Sequence, residues 1–230
     1  MIDIAIPYGA YWSTPFTRWQ GGFAHLHSLQ FAAYVAKGAL KQRDIDPAVF
    51  DYGVLGMSVP QQGSFYGLPW LMGEIGAVQV AGPTISQACA TSARVLQAGA
   101  SEIRDNNATG TLAIAADRIS IGPHIYQPAP HGPGGLGEHE NWTVDNFQRD
   151  PFTGVAMIQT AENVASEYGI DTAMQNDLTL CRYEQYADAL KNDSAFLRSF
   201  MELPFAVPDT RFKRVQNTLD GDEGIFPTTA

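Results

Sequence analysis

Cysteine and positive charge are what this chain has least of. Only Cys89 and Cys181 occur among 230 residues, so no disulfide framework can hold the fold. Lysine and arginine number 14 against 24 aspartates and glutamates, a formal net charge of −10. With no basic stripe, the balance argues against nucleic acid as a partner. An anionic cofactor needs only a local cluster of cations and stays compatible. No apolar stretch reaches the roughly 20 residues of a membrane span, so no membrane partner is expected. The opening Met1-Ile2-Asp3-Ile4-Ala5-Ile6-Pro7 has neither a basic region nor a long apolar run. No signal peptide is therefore expected, and the reading is a cytoplasmic protein in a reducing compartment. What is plentiful is apolar residue, at 45% hydrophobic against 17% charged. That suffices for a substantial core in one or two domains.

Ile2 to Ile6 reads as a short strand ended by Pro7, and Ser13-Thr14-Pro15-Phe16 with Gly21-Gly22 as a turn-rich loop. Leu29, Ala32, Ala33, Ala36 and Leu40 mark an amphipathic helix. Tyr52 to Met57 and Thr111 to Ala116 are apolar without polar alternation, as strands covered on both faces are. An aromatic-rich helix is expected near Leu68 to Ala77. Strands alternating with helices predict an α/β layered fold.

After Asp117 the character changes. Residues 118–150 are rich in Gly, Pro, His and Asn without a period, the pattern of an extended loop. Gly132, Gly134 and Gly137 match Gly-x-Gly-x-x-Gly in form, but Pro133 interrupts it and no helix follows. The spacing of His124, His131 and His139 fits no zinc template, so no metal is expected and the histidines read as solvated loop residues. Val155, Ile158, Ala161, Val164, Ala165 and Tyr168 share one helical face, with Gly169 as its C-cap. Thr172-Ala173-Met174-Gln175 has the capping-box pattern and starts a helix running to about Leu190. From Phe205 onward, short extended pieces and turns are expected.

The stretch with the most chemistry is Gly82 to Arg94. Thr84, Ile85 and Ser86 end a short strand, and Ala93, Leu96, Ala100 and Ile103 then fall on one helical face. Cys89 lies at the junction, where unpaired backbone N–H groups and the helix dipole favour an anionic, nucleophilic sulfur. The small neighbours Ala88 and Ala90 leave room for an acyl group. A buried cysteine acting as a small apolar residue fits the same stretch. An α/β-hydrolase elbow is excluded, because Gln87 and Thr91 stand where it needs glycines.

The strand, Ala88-Cys89-Ala90-Thr91 and the following helix are similar to the nucleophile region of thiolases and of ketoacyl synthases. Later segments resemble thiolases alone. Asp150-Pro151-Phe152 and Met157-Ile158-Gln159-Thr160-Ala161-Glu162-Asn163-Val164-Ala165 resemble the thiolase Asp-Pro-Phe and Met-Gly-x-Thr-Ala-Glu-Asn-Val-Ala segments. Tyr168-Gly169-Ile170 continues in register, and Asp222-Glu223-Gly224 with Pro227-Thr228-Thr229 resembles Asp-Glu-Gly-x-x-Pro-x-Thr-Thr.

The resemblance implies the first half of a layered α/β/α/β/α fold with an inserted loop domain. Residues 1–117 would be the core half carrying the nucleophile, and 118–230 the loop domain that meets substrate and CoA. The C-terminal catalytic half, with a second cysteine and His/Asn elements, would lie outside this chain, either as its missing remainder or in a complementing chain. The implied reaction is thiolytic cleavage of a 3-oxoacyl-CoA, or the reverse condensation. It would pass through an acylated Cys89, with coenzyme A as co-substrate and no covalently bound cofactor. The alternative is a catalytically impaired thiolase-like subunit serving assembly or acyl-CoA binding. A homodimer or dimer of dimers is also implied, through the strand ending at Ser86. Substrate and CoA contacts would fall at Gln148, Ala156, Met157 and Phe226.

Several positions depart from the family pattern. Ala156 stands where thiolases commonly carry His, Ile158 where they carry Gly, and Ser86 where they carry Asn. Ala115 to Ser120 replaces Gly-Gly-x-Glu-Ser-Met, and Phe226 replaces the Arg that meets the CoA nucleotide. Arg211, Lys213 and Arg214 are nearby cations able to replace that arginine, or else a solvated basic run. Phe65, Tyr66 and Trp70 read as a pocket for a bulky acyl group or as core aromatics. Cys181 falls in mid-helix and reads as a core residue.

Overall fold

The computed structural model describes residues 4–225. Its contacts divide the chain into two compact units. The first comprises the described part of Met1–Ile121 with Phe200–Glu223, and the second Gly122–Ser199 with the described part of Gly224–Ala230. This differs from the expected division at 117/118, because the segment after Phe200 returns to the first unit. Phe205 is buried there against the rings of Phe23 and Phe31, at centroid distances of 5.6 and 6.0 Å.

The first unit is built on a parallel sheet of β1 (Tyr52–Gly56), β2 (Thr84–Ile85) and β3 (Thr111–Ala115), in the order β2-β1-β3. Side chains alternate across a strand, and the two faces of β1 have different partners. Leu55 joins a core with Leu29, Ala33, Ala36 and Leu40 of α1 (Ser28–Gln42) and with Leu68, Leu71, Met72 and Ile75 of α2 (Leu68–Ile75). Val54, fully buried, and Gly56 face the other way, toward α3 (Thr91–Arg104).

Gly56 is required by that approach: a Cβ there would stand 2.6 Å from Val95 and 2.7 Å from Thr91. The buried stripe of α3 is accordingly Thr91, Val95 and Gly99. The expected face of Ala93, Leu96, Ala100 and Ile103 is the wrong one, since Ala93 and Leu96 are exposed and the other two half-buried. Small residues let helix and sheet close up, and the larger apolar ones point away.

Two aspartates clamp the paired strands at opposite ends. Before β1, Asp51 accepts the backbone N–H groups of Thr109 and Gly110 and the Thr109 hydroxyl. Beyond β3, Asp117 accepts the N–H groups of Ser58 and Val59, both at 2.9 Å, and the Ser58 hydroxyl. An antiparallel pair, β6 (Phe205–Pro208) and β7 (Val215–Leu219), completes the unit. Residues 4–6, expected as strand, have no regular structure.

The second unit holds an antiparallel hairpin of β4 (His124–Gln127) and β5 (Glu138–Asn141), followed by α4 (Val144–Gln148). These replace the extended loop expected over 118–150. Next come α5 (Met157–Tyr168), α6 (Thr172–Ala189) and α7 (Lys191–Arg198), the last interrupted by left-handed residues Asn192 to Ser194. Gly169 closes α5 with φ 64°, as expected. The cap of α6 is Asp171, whose side chain accepts the Met174 N–H; Thr172 is already helical. Neither α5 nor α6 has a buried residue. The face expected to pack is thus exposed, Ile158 at 76%. Cys181 is exposed too, against its reading as a core residue. Among the described residues no helix is long and apolar enough to cross a membrane.

Candidate active site

The chain leaves β2 at Ile85 and enters α3 at Thr91 through a tight turn. The 3-10 turn Ala88–Ala90 sits between them, and Ala88 has φ 44°, a left-handed value that a residue with a Cβ adopts at a cost of about 1 kcal/mol. Buried Thr91 holds the turn in shape. Its hydroxyl donates to the Ala88 carbonyl at 2.7 Å and accepts the Gln87 N–H at 2.8 Å. Cys89 is carried at the crest, exposed and free of any disulfide. This removes the buried-cysteine reading. No side chain caps α3 and no acidic residue lies in its first turn. The orphan N–H groups and the positive end of the dipole therefore act on the cysteine end of the helix.

Cys89, Asp117 and Arg118 all follow the carboxyl ends of the parallel strands, the edge where open α/β sheets bind ligands. The Nη1 of half-buried Arg118 donates to the Leu26 carbonyl. Burial pushes its guanidinium below the usual arginine range. Of the aromatics in this unit, Trp70 packs on the core, whereas Phe65 and Tyr66 are 93% and 72% exposed and are not core residues.

The other expected positions fall elsewhere. Ala156 is the N-cap of α5, Met157 its first residue, and Gln148 the last residue of α4, all in the second unit. Asp150 explains the Asp-Pro-Phe pattern ahead of them. Its Oδ1 accepts the N–H groups of Phe152 at 2.8 Å and Thr153 at 2.7 Å, which fold the approach to α5. Those N–H groups, Thr153 first, hold its carboxyl below the ordinary range. Arg214 is in the first unit, where the Asp209 carboxylate accepts the N–H groups of Arg211, Lys213 and Arg214 and closes a turn before β7. Phe226 lies outside the described residues.

Sequence reasoning missed three features. The Thr91 clamp has a signal, a hydroxyl two residues after the cysteine. Asp222 and Glu223 act as a clasp: Asp222 accepts the Phe16 N–H at 2.7 Å and Glu223 accepts the Gly22 N–H at 3.0 Å. On the hairpin, the rings of His124 and His139 stack with Nδ1 and Nε2 2.9 Å apart. Among the described residues no group of three or more His, Cys, Asp or Glu could hold a metal.

Residues 10–230 match the family model described as thiolase, N-terminal domain. The chain belongs to the thiolase family. Its curated relatives include the acetyl-CoA acetyltransferase of Escherichia coli, 26% identical over 186 residues, 75% of this chain and 44% of that protein. The acetyl-CoA acetyltransferase of Cupriavidus necator is 25% identical over 246 residues, 99% of this chain and 60% of that protein. The chain thus spans about half the length of the curated relatives it matches. Human mitochondrial 3-ketoacyl-CoA thiolase, solved in complex with CoA, superposes with a TM-score of 0.79 at 22% identity. The match covers 94% of this chain and 53% of that one. The fold is therefore a thiolase fold, of which this chain carries the amino-terminal half.

Proposed function

We propose that this thiolase chain contributes the acyl-accepting cysteine of an acyl-CoA acyltransferase acting on a 3-oxoacyl-CoA. The supporting observation is the placement of Cys89: exposed, on a turn locked by Thr91, at the uncapped start of α3. The thiolate attacks the C3 carbonyl, and the C2–C3 bond then breaks. The bonding pair goes to C2, which takes a proton and leaves as acetyl-CoA, while the shortened acyl chain stays on the sulfur. The acyl group remains on Cys89 as a thioester until the thiolate of a second CoA removes it. In this reading the Cys89 backbone N–H donates to the oxyanion, a contribution of about 3 kcal/mol at comparable sites. The proton donors belong to the carboxyl-terminal half that the resemblance implies.

A two-fold assembly fits this reading, because β2 is one of the two edge strands of its sheet among the described residues. The acylation experiment uses the complete protein, mixed with a 3-oxoacyl-CoA and mapped by mass spectrometry. An acyl adduct on Cys89, released by added CoA, is the expected result. No adduct on Cys89 overturns the reading in favour of the impaired subunit.

A further inference from the structure

Apart from the cysteine turn, the described residues of the first unit gather unsatisfied polar groups at one other place, the amino-terminal end of α1. We propose that this end of α1, together with Arg118, is a binding site for a small oxyanion, a phosphate or carboxylate group.

Arg118 supplies the charge. Its Nη1 is occupied by the carbonyl of Leu26, two residues before the helix begins, so the guanidinium is fixed at that end. Its Nε is buried without a partner. The edge of a guanidinium that carries Nε is one of its two bidentate faces for carboxylate or phosphate. None of the ion pairs among the described residues includes Arg118. A half-buried guanidinium whose Nε is shut off from water and has no counter-charge beside it carries a desolvation cost, and arginine cannot shed its proton to escape.

The helix supplies the rest. α1 runs for 15 residues with no side-chain cap and no acidic residue in its first turn, so its N–H groups and dipole are not neutralised there. Ser28 is its first residue. Helical Cα–Cβ bonds tilt toward the amino end, so this side chain leans into the site. It is only 6% exposed, and its Oγ has no partner. His27 adds an acceptor. Its Nε2 stands 2.7 Å from the Gln62 carbonyl and must carry the proton, which leaves buried, partnerless Nδ1 as a lone pair in the neutral ring. Phosphate carrying one proton accepts from Arg118 and Ser28 and donates to His27. Carboxylate meets only the donors, so phosphate is the better match.

The test is calorimetric titration of the complete protein with inorganic phosphate, acetate and chloride at matched ionic strength. Melting temperature is followed in parallel. Phosphate is expected to bind saturably and raise the melting temperature by roughly 2–5 °C, with acetate weaker. Acetate binding tighter than phosphate keeps the site and makes the ligand a carboxylate. Arg118→Lys keeps the charge but loses the fork, and binding should fall at least tenfold. Ser28→Ala should weaken phosphate binding severalfold without lowering the melting temperature in its absence, which separates a ligand role from a structural one. Phosphate and acetate acting no differently from chloride, or Arg118→Lys binding like the wild type, overturns the proposal. Neither result bears on acylation of Cys89.

Discussion

The hydroxyl of Thr91 donates to the carbonyl of Ala88 at 2.7 Å and fixes a left-handed residue directly before Cys89. Without that bond the turn relaxes and the sulfur moves. Thr91→Val should cut the rate of Cys89 acylation by roughly 10- to 100-fold, as small misplacements of a reacting group do. Acyl-CoA affinity should be little changed. Thr91→Ser should retain most of the rate. Stopped-flow acylation with a single acyl-CoA separates the two variants, and equal rates would remove Thr91 as a positioning residue.

Both cysteines are exposed, so accessibility alone cannot distinguish them. Only Cys89 stands at a helix start; Cys181 is the tenth residue of α6. Iodoacetamide should label Cys89 faster, and acyl-CoA should acylate it alone. Cys89→Ala should abolish turnover by roughly three orders of magnitude or more, and Cys181→Ala should leave it intact. Peptide mapping and steady-state assays read both outcomes.

Asp51 makes stability depend on acidity. The Thr109 hydroxyl, then the N–H groups of Thr109 and Gly110, hold its carboxyl below the ordinary value. A carboxyl depressed in the folded state stabilises fully above its unfolded value, about 3.9, and loses that contribution as pH falls toward the folded value. Asp51→Asn should therefore lower the melting temperature most near neutrality. The gap should close as pH drops from about 5 to below 4. A gap independent of pH would mean that the charge plays no part.

The uncovered apolar faces predict how the chain behaves alone. Leu96 on α3 and Ile158, Val164 and Tyr168 on α5 are all exposed. Residues 1–230 produced alone should bind the dye ANS strongly and self-associate, and co-production with a carboxyl-terminal thiolase half should suppress both. A monodisperse product that leaves ANS dark would count against any partner on these faces.

Much of this was legible in residue pattern. Helical apolar spacing located α1 and α5, unbroken apolar runs located β1 and β3, an aromatic-rich stretch located α2 and a capping pattern the start of α6, each to within a few residues. The buried side of α3 was not legible, because Gly56 and Gly99 admit a stripe of small residues and turn Leu96 outward. The hairpin was missed because His124 to Gln127 and Glu138 to Asn141 show no apolar alternation. Their pairing is set by a partner strand across a loop rich in glycine and proline. At the candidate site the cysteine was legible and its support was not. The Thr91 hydroxyl is there to be read two residues after the cysteine, but its bond to Ala88 depends on a backbone angle that no residue name reveals.

The first unit is also discontinuous in the order of synthesis. Between Ile121 and Phe200 the ribosome must add about 80 residues of the second unit before Phe205 can reach Phe23 and Phe31. At roughly 5–20 residues per second that is an interval of about 4–16 s. Through it the nascent sheet and its helices wait with one flank open, and the loop at Phe16 to Gly22 lacks the carboxylates of Asp222 and Glu223. A pause or a chaperone acting within that interval would act on a first unit not yet closed by its last strands.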